Sequence, residues 1–348
     1  MYRCFELAVK GLGTAAPNPI VGAVLVYQQS IIGEGFHEFY GGPHAEVNCI
    51  QSVAEKHKNL IEKCTLYISL EPCAHFGKTP PCTNLIIDHK IKKVVIGCRD
   101  PFEAVNGKGV EILKQHGVDI TEGILESEAS TLNKRFFCFH KNKRPFILIK
   151  WAETSNGYIA PQHQTYKADR WLISTALTKR FVHRLRKEQM AILIGTNTAC
   201  WDDPVLNSHL QHDGKTVRLI IDKSLRIPTS HKIYNTAHKT YVFNYLENKN
   251  YSEFVEYICL SASENLLQSL MNWCYKNGIQ SLLVEGGRKT IESFFEAGLY
   301  DEVVQIINNK SIKEIGLESP DLPNDINLDK TFQLEDDTIK IYTKSITH

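Results

Sequence analysis

Two consecutive α/β domains are what this 348-residue sequence predicts. Three observations carry the prediction. Both halves alternate apolar, β-branched runs of strand length with amphipathic helical stretches, the pattern of helices layered on a sheet. The length exceeds one ordinary domain and suits two. A charged segment without apolar residues, Lys141-Asn142-Lys143-Arg144-Pro145, interrupts the alternation and ends in proline, as a domain edge does. The first domain is therefore expected over residues 1–144 and the second over 145–348.

In the first half, Phe5–Leu12 reads as a short amphipathic helix stopped by Gly11 and Gly13, and Ile20–Tyr27, bounded by Pro19, as a buried strand. Ala45–His57 is expected to be helical. Leu66–Leu70 and Val94–Gly97 read as strands, with Thr83–His89 and Val110–His116 as helices between and after them. In the second half the expected strands are Phe146–Trp151, Ala191–Gly195, Val217–Asp222, Thr240–Asn244, Ser281–Glu285, Val303–Ile307 and Ile339–Thr343. The expected helices are Thr178–Arg186, Asn265–Tyr275 and Thr290–Ala297, and Glu318–Asn327, with Pro320 and Pro323, reads as a loop.

Composition narrows the function. Hydrophobic residues make up 43% of the chain, enough for packed cores, and the formal net charge is +1. That balance gives no general drive toward nucleic acid or anionic lipid, though a small phosphorylated ligand needs only a few local cations. No apolar run approaches the ~18 residues of a membrane span, and Met1–Lys10 lacks a signal-peptide core. The sequence thus reads as cytoplasmic and soluble, with its ten cysteines reduced. Cys4, Cys49, Cys64, Cys98, Cys138, Cys200, Cys259 and Cys274 read as small buried hydrophobes.

Cys73 and Cys82 stand apart because of their neighbours. His44-Ala45-Glu46, then Pro72-Cys73, then Cys82 supply one imidazole and two thiolates. Catalytic zinc takes three protein ligands and keeps a fourth position for water, whose pKa falls from ~15.7 to about 7. Glu46 is then a proton carrier rather than a ligand. His44 is placed at the start of a helix, and Cys73 is expected to open another element, so that helix N-terminal dipoles favour thiolate. A structural zinc site would need a fourth ligand, for which His75 is the candidate. The spacing is unusual: zinc deaminases commonly put two residues between their cysteines, whereas here eight lie between Cys73 and Cys82 and include His75 and Lys78.

These motifs resemble a known family. Asn18-Pro19-Ile20-Val21-Gly22-Ala23, Gly35-Phe36-His37, His44-Ala45-Glu46 and Glu71-Pro72-Cys73 through Pro80-Pro81-Cys82 are similar to the deaminase half of the bifunctional riboflavin biosynthesis deaminase/reductases. Lys150-Trp151-Ala152, Gly157-Tyr158-Ile159-Ala160, Val182–Arg186, Ala191–Thr198, Asp202-Asp203-Pro204, Ile221-Asp222 to Pro228 and Val284-Glu285-Gly286-Gly287 are similar, in order, to the reductase half. The resemblance implies a cytidine-deaminase-like three-layer domain followed by a dihydrofolate-reductase-like domain, and a homo-oligomer. It implies that a phosphoribosylated diaminopyrimidinone loses its ring amine at zinc, and that NADPH then reduces the ribosyl group to a ribityl chain. Carried over by motif, His44, Cys73 and Cys82 bind zinc and Glu46 moves protons. Asn18, His37, His75 and Lys78 contact the first substrate. A structurally satisfied histidine is the alternative for His37 and His75.

The reductase half has no Gly-x-Gly-x-x-Gly, so a Rossmann domain is not indicated. Instead Gly286-Gly287 follows an expected strand and precedes an expected helix, where backbone can approach phosphate; a plain turn is the alternative. The resemblance assigns substrate contacts to Lys150, Asp169, Arg186, Leu206, His209 and Glu285, with Arg186 on the phosphate. It assigns NADPH contacts to Ala152, Trp171, Thr198, Asp202, Lys223, Gly287, Arg288, Lys289 and Thr290. The Lys223–Arg226 stretch could select NADPH by meeting its extra phosphate, or be a solvated turn.

Three positions depart from the family pattern. Asn156 stands where an aspartate is usual, His209 where an arginine is usual, and Asp169 where a substrate-binding serine is expected. They leave open an active deaminase whose second domain binds but reduces poorly. Two further alternatives, a nucleic-acid deaminase and a zinc-stabilised binding module, fit less well. The balanced charge and the long cysteine loop oppose the first, and the intact Glu46 opposes the second.

Overall fold

A computed structural model describes the chain except residues 77–79, 104, 162–172, 208–215, 235–237, 248–252, 312–315 and 346–348. Lys78, Asp169, Trp171 and His209 lie outside the described residues. The chain divides into two compact units, Met1–Lys143 and Arg144–His348.

The first unit runs α1 (Tyr2–Val9), β1 (Gly22–Tyr27), β2 (Ser30–Phe36), α2 (Ala45–Gln51), β3 (Thr65–Leu70), α3 (Cys82–Asp88), β4 (Lys93–Cys98), α4 (Lys108–Gln115), β5 (Asp119–Thr121), α5 (Glu126–Leu132) and α6 (Lys134–Asn142). Its sheet has the order β2-β1-β3-β4-β5. β1 is antiparallel to both β2 and β3, and β3, β4 and β5 are parallel. Alternation along β1 decides the layers. Ala23 and Leu25 join Cys49, Ile86, Val110 and Leu113 in one core, so α2, α3 and α4 cover that face. Val24 packs with Cys4 and Leu7 of α1 on the other, and Ala129 of α5 packs there on Leu70 and Cys98. Two helical layers thus enclose one sheet.

The second unit runs β6 (Phe146–Thr154), β7 (Tyr158–Pro161), α7 (Ala176–Lys187), β8 (Ala191–Gly195), α8 (Thr196–Asp202), β9 (Val217–Ile221), β10 (Thr240–Asn244), β11 (Val255–Cys259), α9 (Leu266–Lys276), β12 (Ser281–Val284), α10 (Arg288–Glu296), β13 (Glu302–Asn308), β14 (Gly316–Glu318), β15 (Ile326–Leu334) and β16 (Asp337–Lys344). The main sheet has the order β11-β10-β9-β8-β12-β6-β13-β16-β15. It is parallel from β11 through β13 and antiparallel from β13 to β15. Ile147, Ile149 and Trp151 of β6 join α9 and α10 in one core. Lys150, on the opposite pleat, faces the other way.

Several expectations need correction. The first helix begins at Tyr2, not Phe5, and ends at Val9; Lys10, Gly11 and Leu12 continue as tight turns whose amides reach back three residues. The helix expected over Ala45–His57 stops at Gln51. The Ser52 hydroxyl donates to Cys49 O (2.7 Å) and accepts from Glu34 N (2.8 Å), competing with the helical pattern. A 3₁₀ stretch, Glu55–Lys63, follows. Cys73 opens no element: it lies in the loop after β3, and Cys82 is the residue that begins a helix. Cys200 is half-buried and Cys259 exposed, contrary to the expectation that both are buried. β15 takes up the end of the expected Glu318–Asn327 loop; it is a largely exposed edge strand whose polar residues hide its period.

Candidate active sites

In the first unit the ends of β2 and β3 and the starts of α2 and α3 meet. His44 is the residue before α2, in extended conformation, and Glu46 sits in the first turn. Gly35 of β2 lets that helix come close, since a Cβ there would lie 2.2 Å from the Cys49 amide nitrogen. Asn48 ties the helix down by donating to Phe36 O (2.8 Å).

The donor atoms converge. His44 Nδ1 lies 3.5 Å from Cys73 Sγ and 3.3 Å from Cys82 Sγ, and all three atoms lie within 4.8 Å of one another. Bonds of about 2.3 Å to sulfur and 2.0 Å to nitrogen at tetrahedral angles separate neighbouring ligand atoms by roughly 3.6 Å. The pocket therefore has the size and the N/S chemistry of a zinc site. The Cys82 amide donates to Cys73 Sγ (3.3 Å) and draws the loop onto α3. The Cys82 thiol holds the Cys73 thiol well below its ordinary range, and the nearby imidazole adds to the effect. Glu46 is 3% exposed, and burial pushes its carboxyl up. A carboxyl so placed takes up a proton more readily than an exposed one, which suits a general acid–base.

Asn18 and His37 form one unit. The His37 Nδ1 lies 2.9 Å from Pro43 O, an acceptor only, so Nδ1 carries the hydrogen and Nε2 accepts from Asn18 Nδ2 (3.1 Å). Burial lowers the His37 pKa, which keeps the ring neutral. With its amide nitrogen so used, Asn18 has its carbonyl oxygen left, among the described residues, for another donor. His75 is not part of the metal cluster: it is exposed and stacks edge-on with Phe102, their centroids 6.1 Å apart. Phe102 in turn stacks on His140.

The second unit holds a cleft of about 1720 Å³ at the carboxyl ends of β6, β8, β9 and β12, where parallel sheets commonly bind ligands. Lys150, Ala152, Arg186, Thr198, Asp202, Leu206, Lys223, Glu285, Gly287, Arg288, Lys289 and Thr290 all line it. Every described residue that the sequence assigned to the reductase is therefore brought together. Asn156 is not in the lining; it accepts from the Thr154 hydroxyl (2.9 Å) in the turn after β6.

At the base of the cleft Glu285 accepts two hydrogen bonds from Arg186, both 2.7 Å, with Lys150 Nζ at 3.9 Å. Burial pushes the Glu285 carboxyl up, but the two cations more than offset it and hold it at about 2. Burial likewise lowers Lys150, and Glu285 resists that shift. Arg186, expected on a phosphate, thus has its bidentate edge on a carboxylate. Arg288 sends its guanidinium to Glu292 and Glu318. At the other end the Gly287 amide donates to Thr198 Oγ1 (2.8 Å), joining the starts of α8 and α10. The buried Asp222 carboxylate accepts from Arg226 N, Ile227 N and Thr196 Oγ1 and fixes the turn that carries Lys223. Arg226, of the stretch offered for NADPH selection, also lines the cleft, as do His183 and Tyr245, which were given no role from sequence. Of these, His183 carried a signal, lying three residues before Arg186 on one helix face.

Comparison with known proteins gives two matching families. Residues 145–334 match the RibD C-terminal domain, and residues 1–98 match the cytidine and deoxycytidylate deaminase zinc-binding region. The chain is 38% identical to the riboflavin biosynthesis protein RibD of Aquifex aeolicus, over 92% of this chain and 89% of that one. To the Escherichia coli protein it is 33% identical, over 89% and 87% respectively. Among solved structures it is similar to a diaminohydroxyphosphoribosylaminopyrimidine deaminase/5-amino-6-(5-phosphoribosylamino)uracil reductase from Thermotoga maritima. The TM-score is 0.88 at 36% identity, covering 99% of this chain and 97% of that one.

Proposed function

The chain belongs to the RibD family of bifunctional riboflavin-biosynthesis deaminase/reductases, and on that premise we propose how its own residues divide the two reactions. Residues 1–144 deaminate a phosphoribosylated diaminopyrimidinone, and residues 145–348 reduce the ribosyl group of the resulting aminouracil with NADPH. The observation that carries the reading is the convergence of His44, Cys73 and Cys82 beside the buried Glu46.

Zinc held by those three residues supplies Lewis acidity and a nucleophile at neutral pH. Glu46 takes a proton from the attacking water, delivers it to the ring nitrogen and then serves the departing amine. Asn18, oriented by His37, offers its carbonyl oxygen to a ring or exocyclic N–H, and His75 and Lys78 serve the phosphoribosyl end. Two thiolate ligands require a reducing compartment, which supports a cytoplasmic enzyme. The open edge of β15 supports a homo-oligomer, because an exposed edge leaves backbone groups available for pairing.

In the second unit Lys150, Arg186, Leu206 and Glu285 hold the ribosyl substrate, with Asp169 and His209 beside it. Ala152, Trp171, Thr198, Asp202, Lys223, Gly287, Arg288, Lys289 and Thr290 hold NADPH. The cofactor carries the hydride, so the protein's task is orientation and charge.

Product mass tests the reading. Zinc-loaded protein incubated with the phosphoribosyl diaminopyrimidinone should release the aminouracil alone, and the ribityl product only when NADPH is added. Deamination with a ribosyl product that persists in NADPH would leave the second unit a binding domain.

A further inference from the structure

Glu71 directly follows β3 on the way to Cys73 and is 4% exposed. Its carboxylate accepts from four backbone amides: Asp100 N (3.2 Å) and Gly107 N (3.0 Å) on Oε2, and Gly109 N (3.0 Å) and Val110 N (3.4 Å) on Oε1. Among the described residues its hydrogen-bond partners are backbone amides, and the Arg99 guanidinium acts on it only through space. Buried carboxylates are ordinarily paired with cations, so a fully amide-held one marks a segment whose position is fixed by its neighbours.

Three pieces of chain meet on this one group: the Glu71-Pro72-Cys73 segment, the loop after β4, and the first turn of α4. The fit is close from the helix side, where a Cβ on Gly109 would lie 2.2 Å from Pro72 O. The same loop carries Phe102, whose amide donates to Asp100 Oδ1 (2.8 Å) and whose ring stacks on His75. Cys73 itself lies in no helix or strand. His44 and Cys82 are set by the helices they begin, whereas Cys73 depends on what holds its loop.

We infer that Glu71 is a positioning residue for the deaminase: its amide-bound carboxylate sets the backbone of Pro72-Cys73 and so places the Cys73 sulfur in the metal's coordination sphere. The inference rests on the proposed zinc site. Groups that support metal ligands from behind commonly change affinity or activity 10–100-fold on mutation. Glu71→Gln keeps the shape, but one amide carbonyl cannot serve four donors, and the new NH2 group points at them.

The test uses full-length protein with cobalt(II) in place of zinc, because cobalt absorption reports thiolate ligation and geometry. Wild-type protein should show thiolate charge-transfer and tetrahedral bands; if it does not, the zinc-site reading fails and this inference with it. Given those bands, Glu71→Gln should shift them, release zinc to a chelator on the order of tenfold faster, and lower deamination kcat roughly 10–100-fold with KM within about twofold. Unchanged bands and zinc release, or a raised KM at constant kcat, overturn the inference while leaving the zinc site standing. If Glu71→Gln fails to fold, Gly109→Ala and Glu71→Asp decide. Gly109→Ala crowds Pro72 O against the turn whose amides Glu71 binds, and a folded Gly109→Ala should shift the same bands. Glu71→Asp, which keeps the charge but draws the carboxylate back from its four amides, should shift them too, so a folded Glu71→Asp with unshifted bands overturns the inference.

Discussion

The two sites of this chain are built in opposite ways. The deaminase centre is compact and local. Its three ligands and its proton carrier lie between His44 and Cys82, and burial outweighs the partners of Glu46, so that its carboxyl is pushed toward the neutral form. The reductase cleft draws its lining from the ends of four strands and from segments more than a hundred residues apart, and its central carboxylate is fully matched by Arg186 and Lys150. Desolvation that outweighs a group's partners leaves it ready to take up a proton, whereas desolvation offset by two cations creates a fixed electrostatic platform. The first arrangement suits hydrolysis, in which the protein moves protons. The second suits hydride transfer, in which the cofactor supplies the chemistry.

The sharpest way to break the comparison is Glu46→Gln. Loss of a general acid–base commonly costs 10²–10⁴-fold, so deamination should fall by about 10³-fold. Zinc content by metal analysis should be unchanged, as should reduction of separately supplied aminouracil substrate. A comparable loss of reduction would mean that the two sites are not independent.

In the second unit, Arg186→Met strands Glu285 in the interior. Removing one partner of a buried ion pair commonly costs about 3–5 kcal/mol, and the loss should appear in denaturant melts followed by tryptophan fluorescence. Trp151, Trp171, Trp201 and Trp273 all lie in the second unit, so this signal reports that unit alone. Reduction should fall as well, and deamination should not.

The contrast extends to pH with opposite signs. Glu285 is held at about 2, below its unfolded value. The stability it confers is present above about pH 5 and is lost as pH falls toward 2, roughly 3 kcal/mol in all. In the first unit, burial holds Asp100 up at about 7. Between its unfolded pKa near 4 and that value the folded state binds the extra proton, so this unit loses stability as pH rises across that window. Hydrogen exchange on first-unit peptides should show the loss, and Asp100→Asn should flatten it. A first unit whose stability rises over the same range would contradict the assignment.

The smallest expected effect is at Asn156. Since it lies in a turn outside the cleft, Asn156→Asp should leave the reductase kcat/KM within about twofold. A larger gain would show that this family departure is functional.

What was legible from sequence follows the same division. Contiguity made the metal site readable: His44, Glu46, Cys73 and Cys82 each sit in a short motif whose chemistry is constrained by zinc itself. Apolar runs gave most of the parallel strands, because strands buried on both faces are apolar throughout; the three-residue β5 and the edge strand β11, mostly exposed or half-buried, were not read. The edge strand β15, with polar residues along most of its length, gave no such signal. The end of α2 was missed because the Ser52 hydroxyl accepts from the Glu34 amide, which is distant in sequence.

The sequence by itself determined the two-domain α/β class, the zinc chemistry and the residue types available to each site, because periodicity and ligand chemistry are properties of short segments. Only the tertiary structure decided how those residues are used. It turned Arg186 onto Glu285, locked His37 to Asn18, separated His75 from the metal cluster and gathered four backbone amides around Glu71. Each of these is a contact between segments whose spacing in the chain says nothing of their distance in space. Hydrogen-bond and ion-pair energies depend on that distance and on burial, and both exist only once the chain has folded.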